Sequence, residues 1–98
     1  MLRMARNAEH VVSKPADVMR IERLVLQLPS QARVRVTQRN GEVFTGTVTE
    51  RPALQVFENY EGGVGLNAQV RLDDPSAPRW TVYLWLDEIA KVERIDPV

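Results

Sequence analysis

The stretch from residue 32 to residue 50 leaves this chain few choices. Ala32, Val34 and Val36 alternate with Arg33, Arg35 and Thr37. A period of two gives a strand one apolar and one polar face. Asn40-Gly41 follows, the strongest short-range signal for a tight hairpin, because both central residues of a type I′ turn need positive φ. The return strand carries Phe44, Gly46 and Val48 on one face. A glycine inside a strand loses packing and costs entropy, so it marks a sharp bend or a close backbone approach, as at a barrel corner. A bent hairpin of this kind predicts a mainly β protein: a small, strongly bent, five-stranded antiparallel barrel.

The other segments are read around that hairpin. Residues 1 to 13 show no clean period and are expected to form a flexible arm. Residues 15 to 28 are expected to form an N-terminal α-helix. Pro15 suits the first helical position, Ser13 or Lys14 flanks it as cap, and Asp17 sits where the helix dipole favours negative charge. Val18, Ile21, Leu24, Val25 and Leu28 make one apolar stripe, and Pro29 ends the run. The stripe needs a surface, and the sheet that follows is the only candidate. Leu54, Val56, Phe57 and Tyr60 predict a third strand, and residues 61 to 65 a glycine-rich loop or bulge. Ala68, Val70 and Leu72 alternate again, and residues 73 to 78 read as a turn. Trp80, Val82, Leu84 and Leu86 form one face of the next strand, and Thr81, Tyr83 and Trp85 the other. Asp87-Glu88-Ile89 reads as a short helical turn, and Val92 and Ile95 mark a closing strand. The barrel is thus expected over residues 32 to 95, in a single domain of 98 residues.

Cysteine is missing from the sequence. That removes disulfides, thiolate metal sites and cysteine nucleophiles, and fits a reducing compartment, so a cytoplasmic location is expected. No apolar run approaches the ~20 residues of a membrane span, and the basic start has no apolar segment behind it, so neither a membrane anchor nor a signal peptide is expected. Formal net charge is zero, yet the halves differ. Residues 1 to 51 hold nine basic and five acidic residues, net +4; residues 52 to 98 hold four and eight, net −4. Eleven of the thirteen basic residues are arginine, whose planar fork suits phosphate and carboxylate. The imbalance has two readings: a face for nucleic acid, or attraction between the halves within the fold or across a dimer.

In this order the segments resemble the Sm-like barrel. Val34, Val36, Gly41, Phe44, Gly46 and Val48 sit where its first motif has apolar residues and glycines. More closely, residues 15 to 28, the run Gly41-Glu-Val-Phe-Thr-Gly-Thr-Val48 and Trp85-Leu-Asp-Glu-Ile89 resemble an uncharacterised proteobacterial family known from xanthomonads, described as a variant of the Sm-like fold. The resemblance covers about residues 15 to 95 and implies an Sm-like or SH3-like barrel. It does not carry over an RNA pocket. Sm-like RNA binders have an aspartate six residues after the strand glycine; here that place holds Pro52. Where they have a basic pair before the last strand, this chain has Leu86-Asp87-Glu88.

Catalytic readings find little support. His10 is the only histidine and lies in the expected arm, so a triad or histidine metal site lacks a rigid mount. Asp73-Asp74 and Asp87-Glu88 are paired carboxylates that turns explain. Residues 63 to 68 match the dinucleotide fingerprint by letter, but no helix follows to hold a pyrophosphate. No catalytic residue, metal, cofactor or small-molecule substrate is expected. Two binding features remain. Arg33, Arg35, Arg39 and Arg51 form a candidate nucleic-acid stripe, against the reading of a solvated outer face. Tyr60, Tyr83 and Trp85 are candidate stacking platforms or core residues, with Tyr83 and Trp85 a candidate interface. The expected function is therefore non-enzymatic binding: a homodimer or other homo-oligomer with RNA as candidate partner. The competing reading is a protein-interaction adaptor that works through an apolar strand face or a sheet edge.

Overall fold

The computed structural model describes residues 6 to 95. In chain order the elements are β1 (Arg6–Asn7), α1 (Pro15–Leu26), β2 (Arg33–Gln38), β3 (Val43–Val48), β4 (Gln55–Glu58), β5 (Val64–Asn67), β6 (Gln69–Asp74), β7 (Ala77–Trp85), a 3-10 turn (Leu86–Glu88) and β8 (Ile89–Arg94).

The founding hairpin forms, with Val34 opposite Gly46 and Val36 opposite Phe44, one residue away from the register that a two-residue Asn-Gly turn would set. Its turn differs from expectation. Gly41 has φ of +91°, but Asn40 does not share the left-handed region. Gly41 N–H donates to Gln38 O at 2.9 Å and Gln38 N–H to Glu42 O at 2.8 Å. That is a three-residue loop with glycine at the left-handed position. Asn40 Oδ1 accepts the Glu42 N–H at 2.9 Å, so its side chain completes the turn in place of its backbone. Gly46 answers to close approach: a Cβ there would lie 2.9 Å from Asp73 O, 3.1 Å from Leu72 Cβ and 3.1 Å from the Trp80 ring. The neighbouring strand and an indole both rest on this backbone.

Five strands make one antiparallel sheet in the order β7-β6-β3-β2-β8. The sheet is not closed into a barrel, which corrects the expectation of a closed cylinder. Closure would need a ladder between β7 and β8; they are not paired, and the 3-10 turn follows β7 and leads into β8. The chain between β3 and β6 also leaves the sheet. It forms the β4–β5 hairpin, part of a separate three-stranded sheet β1-β4-β5. That excursion limits β3–β6 pairing to Thr47 with Asp73 and Val48 with Leu72.

The open side is filled by α1. Ile21, Leu24 and Leu28 are buried with Val34, Val36, Val48, Val70, Leu72, Leu86 and Ile89 in one cluster. Pro15 takes the first helical position and Lys14, not Ser13, the N-cap. The helix ends at Leu26, two residues before the expected end, with Gln27 as C-cap. Leu28 still reaches the core because its N–H turns back to Val25 O at 3.1 Å.

The described part of the expected free arm is tied down. β1 pairs in parallel with β4, and Val12 bridges Leu66 of β5. Ala8 is buried. The third strand is shorter than expected, and its turn is made by Asn59, whose Oδ1 accepts the Glu61 N–H at 3.0 Å and the Gly63 N–H at 2.7 Å. Residues 63 to 68 run through β5 into β6 with no helix behind them, so the letter match to a phosphate loop has no structural counterpart.

Candidate nucleic-acid interface

Strand register decides which polar side chains share a face. On β2, Val34 and Val36 are buried, so Arg33 and Arg35 point outward. Arg33 lies opposite Thr47, Thr47 opposite Asp73, and Asp73 opposite Thr81. One step along, Arg71 lies opposite Tyr83. The outer face of the sheet therefore carries Arg33 and Arg35 on β2, Arg71 on β6 and Tyr83 on β7.

The four sequence-named arginines are not gathered. Arg35 sits 4.0 Å from Glu93 on β8, and Glu93 also takes Lys91 at 3.6 Å. Arg39 lies at the hairpin turn, where its N–H donates to Glu88 O at 2.8 Å. It lines a polar cleft of about 350 Å³ with His10, Asp87 and Glu88. Arg51 stands beyond the far end of β3, its N–H held by Ser30 Oγ at 2.8 Å. β2 and β3 thus separate Arg39 from Arg51.

Arg51 instead meets Tyr83 together with three residues that the sequence did not single out, Gln55, Gln69 and Arg71. It lines a hollow of about 390 Å³ with Gln55, Gln69, Arg71 and Tyr83, floored by Thr49 to Ala53. The hollow lies at the seam between the two sheets. Its ring, Tyr83, is 55% exposed, and the Arg71 guanidinium carbon stands 6.0 Å from the ring centroid. Among the described residues the Arg51 guanidinium has no ion pair or hydrogen bond. Arg71 is oriented by Asp73, whose Oδ1 accepts its Nε–H at 3.0 Å, and by Thr81. Hydrogen bonds from the Thr81 hydroxyl and then from Arg71 hold the Asp73 carboxyl below its ordinary range. The same pairing with Asp73 pushes Arg71 up. Asp73 is thus a fixed anion that aims the arginine. The alternation Ala68, Val70, Leu72 against Leu86, Leu84, Val82 around the turn at 73 to 78 implies the Arg71–Tyr83 pairing, so Arg71 was detectable in the sequence.

The aromatic residues part company. Trp85 is half-buried, edge-on to Phe57 at 5.0 Å and 86°, where it holds the inserted hairpin to the main sheet. Tyr60 is exposed in the turn between β4 and β5 and does not line the hollow.

The carboxylate pairs are in structural use. Asp74 Oδ1 accepts from the Ser76 hydroxyl at 2.7 Å and its N–H at 3.0 Å, bonds that lower its pKa. Asp87 accepts from buried Asn67 at 2.9 Å and faces His10 at 3.6 Å. Burial, then Asp87 and Glu9, push the Glu88 carboxyl up, against a smaller pull from His10. Arg20 donates to Ile89 O, and burial and then Arg39 lower its pKa. Among the described residues no group of acids and histidine is arranged to hold a metal ion, and no helix is long and apolar enough to cross a membrane.

Comparison with known proteins places this arrangement. A search of the curated proteins finds no match. A crystal structure of a Xanthomonas campestris protein, described as adopting a novel variant of the Sm-like motif, superposes with a TM-score of 0.88 at 31% identity, covering 95% of this chain and 100% of that one. The open five-stranded sheet with its helix is therefore an Sm-like fold in variant form. The chain belongs to the family described as Domain of unknown function (DUF3247), whose pattern matches residues 5 to 95.

Proposed function

We propose that this chain is a non-enzymatic binding module for single-stranded RNA, and that RNA is engaged at the hollow between Arg51, Arg71 and Tyr83. The observation that carries the reading is an exposed ring with one arginine aimed over it and, in the same hollow, a second arginine whose guanidinium has no partner among the described residues. Bases stack on aromatic faces whatever their sequence, and arginine answers the phosphates. Gln55 and Gln69 add amides that both donate and accept. Arg33 and Arg35 lie on the same outer face across β3 and extend the path of the backbone.

A labelled oligouridine tests this by fluorescence anisotropy. Affinity should fall steeply with salt, since phosphate contacts release counterions. Tyr83→Ala should cost ~1–3 kcal/mol of binding. Arg51→Glu should lower the salt slope by about 1. No binding at low salt would end the reading.

One observation favours a second reading, association through a sheet edge. β7 is nine residues long and, among the described strands, pairs only with β6, and an open edge is a template for another strand. A homo-oligomer or an adaptor complex built this way would meet Tyr83, since Trp85 is covered by Phe57. Light scattering over a range of concentrations decides the homo-oligomer, and a strict monomer would exclude it.

A further inference from the structure

Residues 6 to 12 wrap the β4–β5 hairpin. β1 lies along one edge, with Arg6 opposite Phe57 and Asn7 opposite Glu58, and the Ala8 N–H donates to Glu58 O at 3.1 Å. The chain then crosses the hairpin at Gly65. The crossing is so close that a Cβ there would lie 2.7 Å from Val12 O and 3.0 Å from Val11 Cβ. At the opposite edge Val12 and Leu66 exchange two backbone hydrogen bonds of 2.8 Å. One short segment thus occupies both edges of the hairpin.

Its fastening is mostly backbone. Of residues 8 to 12, only Ala8 is fully buried. Its buried side-chain clasp is Asn67, which donates to His10 O at 2.8 Å and to Asp87 Oδ1 at 2.9 Å, beside the His10–Asp87 contact at 3.6 Å and Val12 packed against the core. The Asn67 Oδ1 accepts the Ala68 N–H at 2.8 Å. Any identical segment would make the same bonds. The link to α1 is Ser13 and Lys14, both exposed, followed by Pro15 at the first helical position. Proline keeps Lys14 extended, at φ −69° and ψ 135°. Rotation in this two-residue link redirects the arm and leaves α1 in place.

We propose that residues 6 to 12 are an exchangeable arm, and that the alternative partner of each arm is the β4–β5 hairpin of a second copy of this chain. Two arms exchanged reciprocally give a two-fold dimer whose arm contacts repeat those within one chain. The proposal stands apart from the RNA reading. Because the contacts are alike in both forms, the balance is set by the effective concentration of the tethered arm, on the order of millimolar for a short link. Exchange is a high-concentration event.

The chain has no cysteine, so introduced thiols report cleanly. Residues in a hydrogen-bonded antiparallel pair have Cα atoms ~5.5 Å apart, within disulfide reach. Val12→Cys and Leu66→Cys are made as separate single variants, mixed at roughly 1 mM to match the tethered arm, and oxidised at that concentration. The expected product is a covalent dimer of one chain of each kind, in roughly tenfold excess over dimers of like chains, because only that pairing is held at bonding distance. A product distribution with no such excess would overturn the proposal. The double variant, oxidised when dilute, should close within one chain. Failure to close would show that the arm does not lie on the hairpin, and would overturn it equally.

Discussion

The two β-hairpins of this chain are built on different physics. The first, β2–β3, sits inside the five-stranded sheet. Val34, Val36 and Val48 are fully buried, and α1 seals their face. Burial of apolar surface supplies its stability. The second, β4–β5, stands outside that sheet. Its Val56 and Val64 are exposed, and Phe57 is its one buried large apolar side chain. What holds it is a wrapped arm, one edge-on contact between Phe57 and Trp85, and a single buried asparagine. A region held by burial is expected to open only with the whole molecule. One held by edge bonds is expected to open alone.

The largest expected effect attacks the first region. Leu72→Ala empties a fully buried position under Gly46 and should cost ~2–5 kcal/mol of global stability. Urea unfolding should show it at every probe. Gly46→Ala comes next. Its Cβ would press on Asp73 O, a backbone atom that cannot swing aside, for ~1–3 kcal/mol of overpacking. If both variants matched the wild type in urea, the sheet would not be packed as described.

Asn67→Ala addresses the second region. It leaves His10 O, Asp87 and the Ala68 N–H without their shared partner, and unmade buried bonds cost ~1–3 kcal/mol. The loss should be local. Amide exchange should quicken at Val12 and Leu66 while Val36 and Val48 keep their protection. Equal quickening at all four would erase the distinction between the regions.

The smallest effect is electrostatic. Burial and neighbouring acids raise the Glu88 carboxyl, so ionising it is harder in the folded chain. Stability is then lost as pH rises from below the ordinary glutamate range through the raised value. Glu88→Gln should raise Tm near neutral pH and leave it unchanged in acid, below the carboxylate range. A gain that persisted in acid would refute the cause.

This contrast also explains what could be read in advance. β2–β3 was legible because alternation and a strand glycine agree on one hairpin, whereas its turn was misjudged by one residue: the loop is three residues long, not two. The burial of Ile21, Leu24 and Leu28 followed from their spacing. β4–β5 was blurred because only four residues form each strand and exposed valines break the alternation. β1 is two residues long and pairs in parallel with a strand some fifty positions away, which leaves no local trace. The open sheet could not be told from a closed one, since closure depends on whether β7 and β8 meet, and their residues suit either outcome. The site was half legible. Arg51 and Tyr83 stood out by type, whereas Arg71 is selected only by register, and Gln55 only by the way the second sheet folds against the first.

The hollow at Arg51, Arg71 and Tyr83 lies where these two regions meet, and its use is the centre of this account. Titrating the isotopically labelled chain with oligouridine and following each amide by NMR tests it most directly. The account predicts that signals of Arg51, Gln55, Gln69, Arg71 and Tyr83 move together, while those of α1 and β8 stay still. Movement confined to β8 and the Arg39 turn, or none at saturating RNA, would contradict it.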